Sequence, residues 1–325
     1  MYPLLFENNL HEVVWGGTKL KALKGMPHDE QPIGESWEIS DVPGNESVIR
    51  NGEHAGKTLG MLLQETGAEL VGQAVFKKYG MNFPLLVKFI DAAHDLSIQV
   101  HPNDALAQAR HGKLGKTEMW YVMQAEPGAS LLTGFAQEIS KEEYEQRVED
   151  GSIVNVLARH EVKSGDVFFI PAGRIHAICG GILLCEIQQS SDVTYRLYDY
   201  HRLGLDGKPR ELHTELAKDA IDYHVYPEYR TAYEPKQEGS VCVVDCPFFV
   251  VNVLTTSSRI KRHLKSQGNF VTLSCLSGTA LITDTDGHSV SLPIGSSCLI
   301  PASVADFDVT SIDGSQVRLL EAWTR

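Results

Sequence analysis

Short alternating runs of apolar and polar residues occupy most of the chain, and this pattern is typical of β-strands. Turn residues, chiefly Gly, Pro and Asp, separate the runs. Before residue 225 the predicted strands are 83–90, 96–101, 118–125, 166–171, 176–189 and 194–200. Short strands with this punctuation favour an antiparallel sandwich or barrel over a parallel sheet with crossover helices.

Helices are predicted where apolar residues recur at spacings of three and four, or where capping residues precede such a segment. These segments are 58–79, 103–111, 140–157 and 213–224. Asn103 and Asp104 are cap candidates for the second segment, and Thr214 is one for the last. Ser140 and Glu143 have the spacing of a capping box.

A domain boundary is predicted within 225–240, which is rich in Pro, Glu and Gly and has weak apolar periodicity. Residues 241–325 contain strand patterns and no convincing helix. A chain of 325 residues is long enough for two domains. We therefore predict a first domain over 1–235 that carries the chemistry and a second, β-rich domain over 236–325.

An internal repeat supports two related β-barrels. The segment 165–172 (GDVFFIPA) recurs as 295–302 (GSSCLIPA), with the turn glycine and Ile-Pro-Ala in the same positions. Four residues after the first copy stands His176, whereas Asp306 stands four residues after the second. We therefore expect a mainly β protein in which the first barrel is elaborated with helices and only this first barrel holds a metal.

Charge and cysteine usage narrow the class of protein. The formal net charge of −13 argues against nucleic acid or an anionic membrane as a partner. The six cysteines form no Cys-x-x-Cys pair, which favours reduced thiols over disulfides or a thiolate zinc site. The start of the chain does not resemble a signal peptide, and no run approaches about 18 apolar residues. These features predict a cytoplasmic protein with no membrane partner.

Candidate metal ligands begin with the segment QVHPND at 99–104. Gln99 and His101 are two residues apart, so they would project from the same face of a strand. Glu118 opens another predicted strand, and His176 follows the Ile-Pro-Ala turn. One amide, two imidazoles and one carboxylate suit zinc or another divalent transition metal. From spacing alone, the alternative that Gln99 and His101 are an ordinary strand pair stays open.

Four motifs together resemble the type I mannose-6-phosphate isomerase family, and in particular its short bacterial form. They are QVHPND (99–104), KTEMWY (116–121), IPAGRIHA (170–177) and CEIQQSSDVTYR (185–196). The likeness spans roughly residues 4–225, with a weaker match beyond. It implies two cupin-like (jelly-roll) barrels, the second degenerate and metal-free, and one Zn²⁺ per chain held by Gln99, His101, Glu118 and His176.

The reaction implied by this resemblance interconverts mannose 6-phosphate and fructose 6-phosphate. A proton moves between C1 and C2 through a cis-enediol(ate), which requires a proton carrier and an electrophile for the developing oxyanion. The implied small-molecule partner is therefore a hexose phosphate. The acidic chain can bind it if Zn²⁺, Lys88, Lys116 and Arg196 make the cleft locally cationic, since salt screens distant charges. The protein is expected to be a monomer or a homodimer.

The resemblance also suggests roles for charged residues near the metal. Lys116, Arg196 and Asp192 are the catalytic candidates, and Lys88 and Glu186 are candidates for substrate binding. Alternatives stay open: Lys88 could extend to water from an edge strand, and Asp192 and Glu186 could form salt bridges that orient Arg196. The residue that acts as base is not fixed uniquely.

One position departs from the longer relatives, which carry His-Lys-Pro-Glu where this chain has Gly115 followed by Lys-Thr-Glu. A proton relay through that histidine cannot apply here, which favours Lys116 as the acid or base. Two rival functions follow from the same residues. One is a non-catalytic metal- and sugar-binding cupin with a regulatory role. The other is a cupin metal enzyme of different chemistry, such as a dioxygenase, although a glutamine ligand fits that less well.

Overall fold

Antiparallel sheets dominate the computed structural model, which describes residues 1–27, 31–263, 268–304 and 306–325. Within these residues, 21 strands form four sheets and seven α-helices connect or cover them. The mainly β fold and its antiparallel strands confirm the prediction from the sequence pattern. Strands and helices are numbered below along the chain.

The first two sheets are built from residues 10–198. In spatial order, the first sheet contains β2 (Leu10–Gly17), β3 (Ile33–Ile39), β4 (Leu85–Ala92), β11 (Ile182–Gln189), β6 (Glu118–Ala125) and β9 (Val167–Ile170). The second contains β12 (Tyr195–Tyr198), β5 (Ile98–Val100), β10 (His176–Ile178), β7 (Ser130–Phe135) and β8 (Leu157–Glu161). Side chains from both sheets, such as Trp120 and Ile178, share one buried apolar cluster, so the sheets pack face to face.

The other two sheets belong mostly to the C-terminal part of the chain. The third contains β1 (Leu4–Leu5), β19 (Ser297–Ile300), β16 (Val271–Ser277), β21 (Val317–Thr324), β14 (Phe249–Thr256) and β13 (Gly239–Asp245). The fourth contains β15 (Arg259–His263), β20 (Asp306–Ser311), β17 (Thr279–Asp284) and β18 (Ser289–Pro293). Strand β1 comes from the N-terminus, so the first residues of the chain complete a sheet of the last 90 or so. The division at 235/236 stays a prediction.

Strand burial follows the hydrophobic pattern. All eight residues of β4 and all eight of β11 are buried, because both faces of these central strands are covered. Strands β17 and β18 instead alternate between buried and more exposed residues, as expected for a sheet with one face toward solvent. The charged residues inside β4 and β11 are therefore exceptions within an otherwise apolar setting.

The helices confirm three of the four predicted helical regions with changed bounds, and glycine divides the remaining one. They are α1 (Lys19–Leu23), α2 (Leu59–Thr66), α3 (Ala68–Val71), α4 (Gln73–Tyr79), α5 (Asp104–His111), α6 (Lys141–Glu149) and α7 (Thr214–Ala220). The predicted single helix over 58–79 is wrong, because Gly67 and Gly72 adopt positive φ angles of 49° and 92° and end α2 and α3.

Two of the three predicted helix caps are confirmed. Asn103 Oδ1 accepts from the backbone N–H of Leu106, and Ser140 Oγ accepts from that of Glu143. The cap predicted at Thr214 is wrong, since Thr214 is the first residue of α7 and His213 precedes it. Helix α6 ends at Glu149, and 152–156 continues as a short 3₁₀ helix instead of the predicted α-helix over 140–157.

The two copies of the internal repeat occupy matching strands. Residues 167–170 form β9 and residues 297–300 form β19, and each follows a glycine with positive φ. His176 is then the first residue of β10 and Asp306 is the first residue of β20, so the structural correspondence extends beyond the repeated sequence segments. Among the described residues, no helix is long and apolar enough to cross a membrane.

Candidate metal centre and substrate pocket

The four predicted ligands come together where the first and second sheets face each other. In the second sheet, His176 of β10 lies directly opposite Gln99 of β5. Glu118 is the first residue of β6 in the first sheet. Strand β5 ends at Val100, so His101, the last residue of the predicted strand 96–101, lies just beyond the observed strand, yet its ring still joins the cluster.

The ligand atoms are close and buried. His101 Nε2 lies 3.4 Å from Glu118 Oε2, and His176 Nε2 lies 3.3 Å from Glu118 Oε1. Each of the three side chains is at most 1% exposed. The Gln99 amide nitrogen lies 3.3 Å from His176 Nε2, and rotating the amide by half a turn would present its oxygen instead. Among the described residues, His101, Glu118 and His176 form the one cluster of three such groups within 4.8 Å.

The hydrogen bonds around these rings leave the inner nitrogens free to bind a cation. His101 Nδ1 lies 3.1 Å from the carbonyl oxygen of Val193, and His176 Nδ1 lies 2.8 Å from that of Arg174. A carbonyl only accepts, so each Nδ1 carries the proton and each Nε2 lone pair faces Glu118. Within the described part of the chain, His101 Nε2 and both Glu118 oxygens are buried without a hydrogen-bond partner. Such unpaired groups fit a bound divalent cation.

Electrostatics keep these ligands in the protonation states that metals require. Burial, followed by the charge of Lys116, lowers the pKa of His101 to about 3, and burial likewise lowers the pKa of His176. Burial acts to raise the pKa of Glu118, but Lys116 and His101 outweigh it and hold that pKa below its usual range. The imidazoles are therefore neutral and the carboxylate is ionised at neutral pH.

Lys116 reaches the cluster although it precedes the strand. Its ammonium lies 3.4 Å from Glu118 Oε2, and the side chain is 6% exposed. Strand β6 begins at Glu118, as predicted, so strand alternation does not place Lys116. The backbone N–H of Lys116 donates to Pro102 O, beside the candidate ligand His101, which holds Lys116 next to the cluster.

The structure explains why glycine occupies position 115. A Cβ there would lie 2.5 Å from the backbone nitrogen of Asp104 and 2.6 Å from the carbonyl carbon of Asn103. The backbone N–H of Gly115 also donates to Asp104 Oδ1 at 2.8 Å. Because the start of α5 fills the space, this fold has no room for a histidine side chain at residue 115 without backbone movement.

Lys88 lies in a row of polar side chains that crosses one face of the first sheet. Its ammonium is 3.5 Å from Glu35 Oε2 and 3.6 Å from Glu186 Oε1, and it lies over the ring of Trp37 at 4.5 Å from the centroid. Burial acts against the charged form, but Glu35 and Glu186 outweigh it and raise the pKa of Lys88. The alternative that Lys88 extends to water from an edge strand is wrong, since β4 is a central strand and Lys88 is 6% exposed.

Two indole groups fix the carboxylates beside Lys88. Trp37 Nε1 donates to Glu35 Oε2 at 2.5 Å, and Trp120 Nε1 donates to Glu186 Oε2 at 2.8 Å. Glu186 Oε1 is buried without a hydrogen-bond partner among the described residues. Burial and the charge of Glu118 raise the pKa of Glu186, whereas Lys88 and Trp37 hold the pKa of Glu35 low despite its burial.

Sequence reasoning missed Glu35. The signal that could have found it is its place two residues before Trp37, because alternation along a strand puts both on one face. Including Glu35 changes the net charge of the side chains around the two lysines. Lys88 and Lys116 face three carboxylates, those of Glu35, Glu118 and Glu186. These five groups carry one net negative charge, so the two lysines alone do not make the cleft cationic, and that expectation depends on the further charges of Arg196 and Zn²⁺.

Arg196 donates the hydrogen bonds of its guanidinium to neutral groups. It lies opposite Gln99 in the β5–β12 pair. Its Nε donates to Ser97 Oγ at 3.3 Å and its Nη1 donates to Glu211 O at 2.8 Å. The alternative in which Glu186 forms a salt bridge with Arg196 is wrong, because the Glu186 carboxylate contacts Lys88 and Trp120 instead.

Asp192 lies outside this cluster. Its side chain is 39% exposed, and its carboxylate pairs with Lys113 Nζ at 2.6 Å. The alternative in which Asp192 forms a salt bridge with Arg196 is therefore wrong. The backbone turns after Ser191, whose hydroxyl donates to Leu114 O, so the next side chain points to the surface beside the loop that follows α5.

Comparison with known proteins places the chain in a family. Residues 4–136 match the model of the phosphomannose isomerase type I catalytic domain, and residues 241–319 match that of the mannose-6-phosphate isomerase cupin domain. Mannose-6-phosphate isomerase ManA of Bacillus subtilis (strain 168) is 36% identical, with 94% of this chain and 95% of ManA covered. Mannose-6-phosphate isomerase of Streptococcus mutans is 37% identical, with 86% and 87% covered.

A solved structure agrees over the full length. The crystal structure of the mannose 6-phosphate isomerase from Bacillus subtilis superposes with a TM-score of 0.87 at 33% identity, covering 99% of both chains. This agreement, together with the cupin domain match, confirms the predicted cupin fold class. The relatives are matched over nearly their whole lengths, so both the catalytic and the C-terminal parts are shared. The chain therefore belongs to the type I phosphomannose isomerase family of enzymes.

Proposed function

We propose that this protein is a zinc-dependent aldose–ketose isomerase that interconverts mannose 6-phosphate and fructose 6-phosphate. A proton would move between C1 and C2 through a cis-enediol(ate). Family membership supports the substrate pair, since relatives of this length carry the name mannose-6-phosphate isomerase. The observation that carries the proposal is the buried His101–Glu118–His176 cluster beside an ammonium group, in which His101 Nε2 and both Glu118 oxygens have no hydrogen-bond partner among the described residues.

Zinc would be held by Gln99, His101, Glu118 and His176, one ion per chain. Neutral imidazole nitrogens and carboxylate or amide oxygens suit this metal, and the backbone carbonyls at Val193 and Arg174 orient the two rings. When bound, the ion would supply a Lewis acid for the sugar oxygens at C1 and C2. It would also add two positive charges to a group of five side chains whose net charge is negative.

Lys116 is the proposed proton carrier. Its ammonium is buried and 3.4 Å from the ligand Glu118, so a sugar that reaches the metal lies within reach of its Nζ. The proposal needs Lys116 to lose its proton when it acts as base and to regain it when it acts as acid. No other lysine pairs with Glu118 among the described residues.

Lys88 and Glu186 are proposed to bind sugar hydroxyl groups. Glu186 Oε1 lacks a hydrogen bond and would accept one from a hydroxyl, while Lys88 has donors to spare and is held between two carboxylates. Because those carboxylates already balance its charge, Lys88 suits a neutral hydroxyl better than a phosphate. Glu35 would act with them by holding the lysine in place.

Arg196 is proposed to bind the negative charge of the substrate, as phosphate or enediolate. Among the residues that the structure describes, its guanidinium donates hydrogen bonds to neutral oxygens of Ser97 and Glu211 and to no carboxylate, so its charge stays available to the substrate. The surface position of Asp192 does not support its predicted catalytic role, and we assign it none.

The test is an isomerase assay with the purified protein. We expect interconversion of mannose 6-phosphate and fructose 6-phosphate, loss of turnover after metal removal verified by elemental analysis, and recovery with Zn²⁺. Unphosphorylated mannose, run in parallel, should turn over far more slowly. Full activity after verified metal removal would refute the zinc assignment. A zinc-loaded sample that binds the sugar phosphate without turnover would favour the non-catalytic sugar-binding alternative.

Two further expectations belong to this proposal. A cytoplasmic location is supported by the scattered cysteines, none of which is paired with another. A monomer or homodimer stays a prediction, as does the division into domains 1–235 and 236–325. Size-exclusion chromatography with light scattering decides the first of these, and expression of 236–325 alone tests whether it folds independently.

A further inference from the structure

A buried aspartate lies just after the strand that carries Arg196. Asp199 follows β12 and is 5% exposed. Its Oδ1 accepts from Arg202 Nη2 at 2.6 Å and from Arg210 Nη2 at 2.5 Å, and its Oδ2 accepts from Arg210 Nε at 2.7 Å. The two arginines hold the pKa of Asp199 below its usual value despite burial. One carboxylate thus joins two guanidinium groups that are eight residues apart.

The segment between Asp199 and Arg210 begins with two residues in an unfavourable backbone conformation. Tyr200 and His201 adopt φ angles of 56° and 55°, in the left-handed region that non-glycine residues disfavour. The segment then doubles back, with an isolated bridge between Leu203 and Pro209. Asp199 therefore ties the start of this reversal to its end, and its three charge-assisted hydrogen bonds offset the backbone strain.

Both groups that hold the Arg196 guanidinium lie beside atoms fixed by these two arginines. Glu211 O, which accepts from Arg196 Nη1, belongs to the residue that follows Arg210. Ser97 Oγ, which accepts from Arg196 Nε, lies two residues after Asp95, whose carbonyl accepts from Arg202 Nη1 at 2.6 Å. Asp199 does not touch Arg196 directly in this arrangement, but it orders both supports of that side chain.

We propose that Asp199 is a positioning residue for the isomerase reaction, acting on Arg196 through Arg202 and Arg210. The inference rests on the proposed function, because it takes Arg196 to be the group that binds substrate charge. Arg196 lies opposite Gln99 in the β5–β12 pair, and Asp199 holds its guanidinium in a fixed direction through Ser97 and Glu211. Releasing it leaves the metal ligands in place and lets the arginine move.

The primary experiment is Asp199→Asn, which keeps the shape and removes the charge. We expect kcat/KM for mannose 6-phosphate to fall roughly 10–100-fold, the scale of a misplaced contact in an active site. Zinc content should stay at one per chain. Asp206→Asn is the matched control: it lies in the same segment, is exposed, and accepts only from the backbone N–H of Lys208. Its kinetics should equal those of the wild type.

A double-mutant cycle separates positioning from general stability. In the Arg196→Gln background, Asp199→Asn should change kcat/KM by less than about twofold, because the side chain it orders is gone. A residue that only stabilises the fold would cost the same factor in both backgrounds. Arg210→Lys, which keeps a cation but loses the two-pronged contact, should also lower kcat/KM, and it decides the matter if Asp199→Asn does not fold.

The outcomes distinguish this inference from the proposed function. If wild-type protein has no isomerase activity, or if Arg196→Gln retains full activity, the role of Arg196 fails and the inference fails with it. If Arg196→Gln is impaired while Asp199→Asn and Arg210→Lys match the wild type, the inference alone is overturned. Equal losses from Asp199→Asn in both backgrounds also overturn it.

Discussion

Replacing Lys88 with methionine tests the charge balance of the pocket most directly. The change removes a buried cation and leaves two buried carboxylates without their partner. At an effective dielectric constant of about 20, each Lys88–carboxylate contact at 3.5 and 3.6 Å is worth roughly 5 kcal/mol before the cost of burying the lysine. Breaking a buried pair on one side costs a net 3–5 kcal/mol or so, which is the destabilisation we expect at neutral pH.

The assay is urea unfolding of metal-free protein, with Lys57→Met as the matched control. Lys57 also pairs with a glutamate, Glu65, but both side chains are substantially exposed. Such a surface pair is worth about 0–1 kcal/mol, so the control should unfold almost like the wild type. The double variant Lys88→Met/Glu186→Gln should recover part of the loss, because it leaves one unpaired carboxylate in place of two.

The effect should depend on pH with a defined sign. In the wild type, Lys88 holds the pKa of Glu35 below its ordinary value of 4.5, so this interaction contributes stability above that pH and loses it as the pH falls. In Lys88→Met the deficit should therefore be largest near pH 7 and shrink below about pH 4.5. A Lys88→Met protein within about 0.5 kcal/mol of the wild type at pH 7 would refute the charge balance described here.

Three further predictions concern the metal, the backbone and the thiols. Glu118→Gln should lower zinc affinity by more than the roughly 10–100-fold seen for loss of an outer partner of a ligand, measured by competition with a chelator; near-normal affinity would contradict the ligand assignment. Gly134→Ala should destabilise the fold by more than Gly128→Ala in thermal unfolding. Both glycines have positive φ, but only at Gly134 would a Cβ meet the Tyr229 ring, at 2.2 Å, and equal losses would show that the ring moves freely. A thiol reagent should label native protein rapidly only at Cys242, the one exposed cysteine of the six, and Cys242→Ser should abolish that rapid phase.

Most of the fold was predictable because strand alternation and turn residues are local signals. The strands that carry Glu118 and His176 begin at the predicted residues, and Asn103 caps α5 as expected. The errors arise where backbone geometry overrides side-chain pattern. Gly67 and Gly72 divide the apolar segment 58–79 into three helices, since positive φ angles end a helix whatever the periodicity of the flanking residues.

The candidate site was predictable to the extent that its chemistry lies in short motifs. Gln99 and His101 are neighbours in sequence, and the resemblance joined them to Glu118 and His176. The sequence could not show that Glu35 and Glu186 surround Lys88, because that contact depends on which strands are adjacent in the first sheet. It also could not show that the Asp192 side chain, which follows the end of β11, points to the surface.

Local spacing and residue chemistry were enough to predict the mainly β architecture, the order of the candidate metal-binding motifs and the types of candidate ligand. The charges around Lys88, the surface position of Asp192 and the contacts of Arg196 became known from the tertiary structure. These depend on distances of a few ångströms between residues far apart in the chain. The energy of a charged side chain depends on the neighbouring charges and on how deeply they are buried. The order of residues along the chain does not specify either quantity.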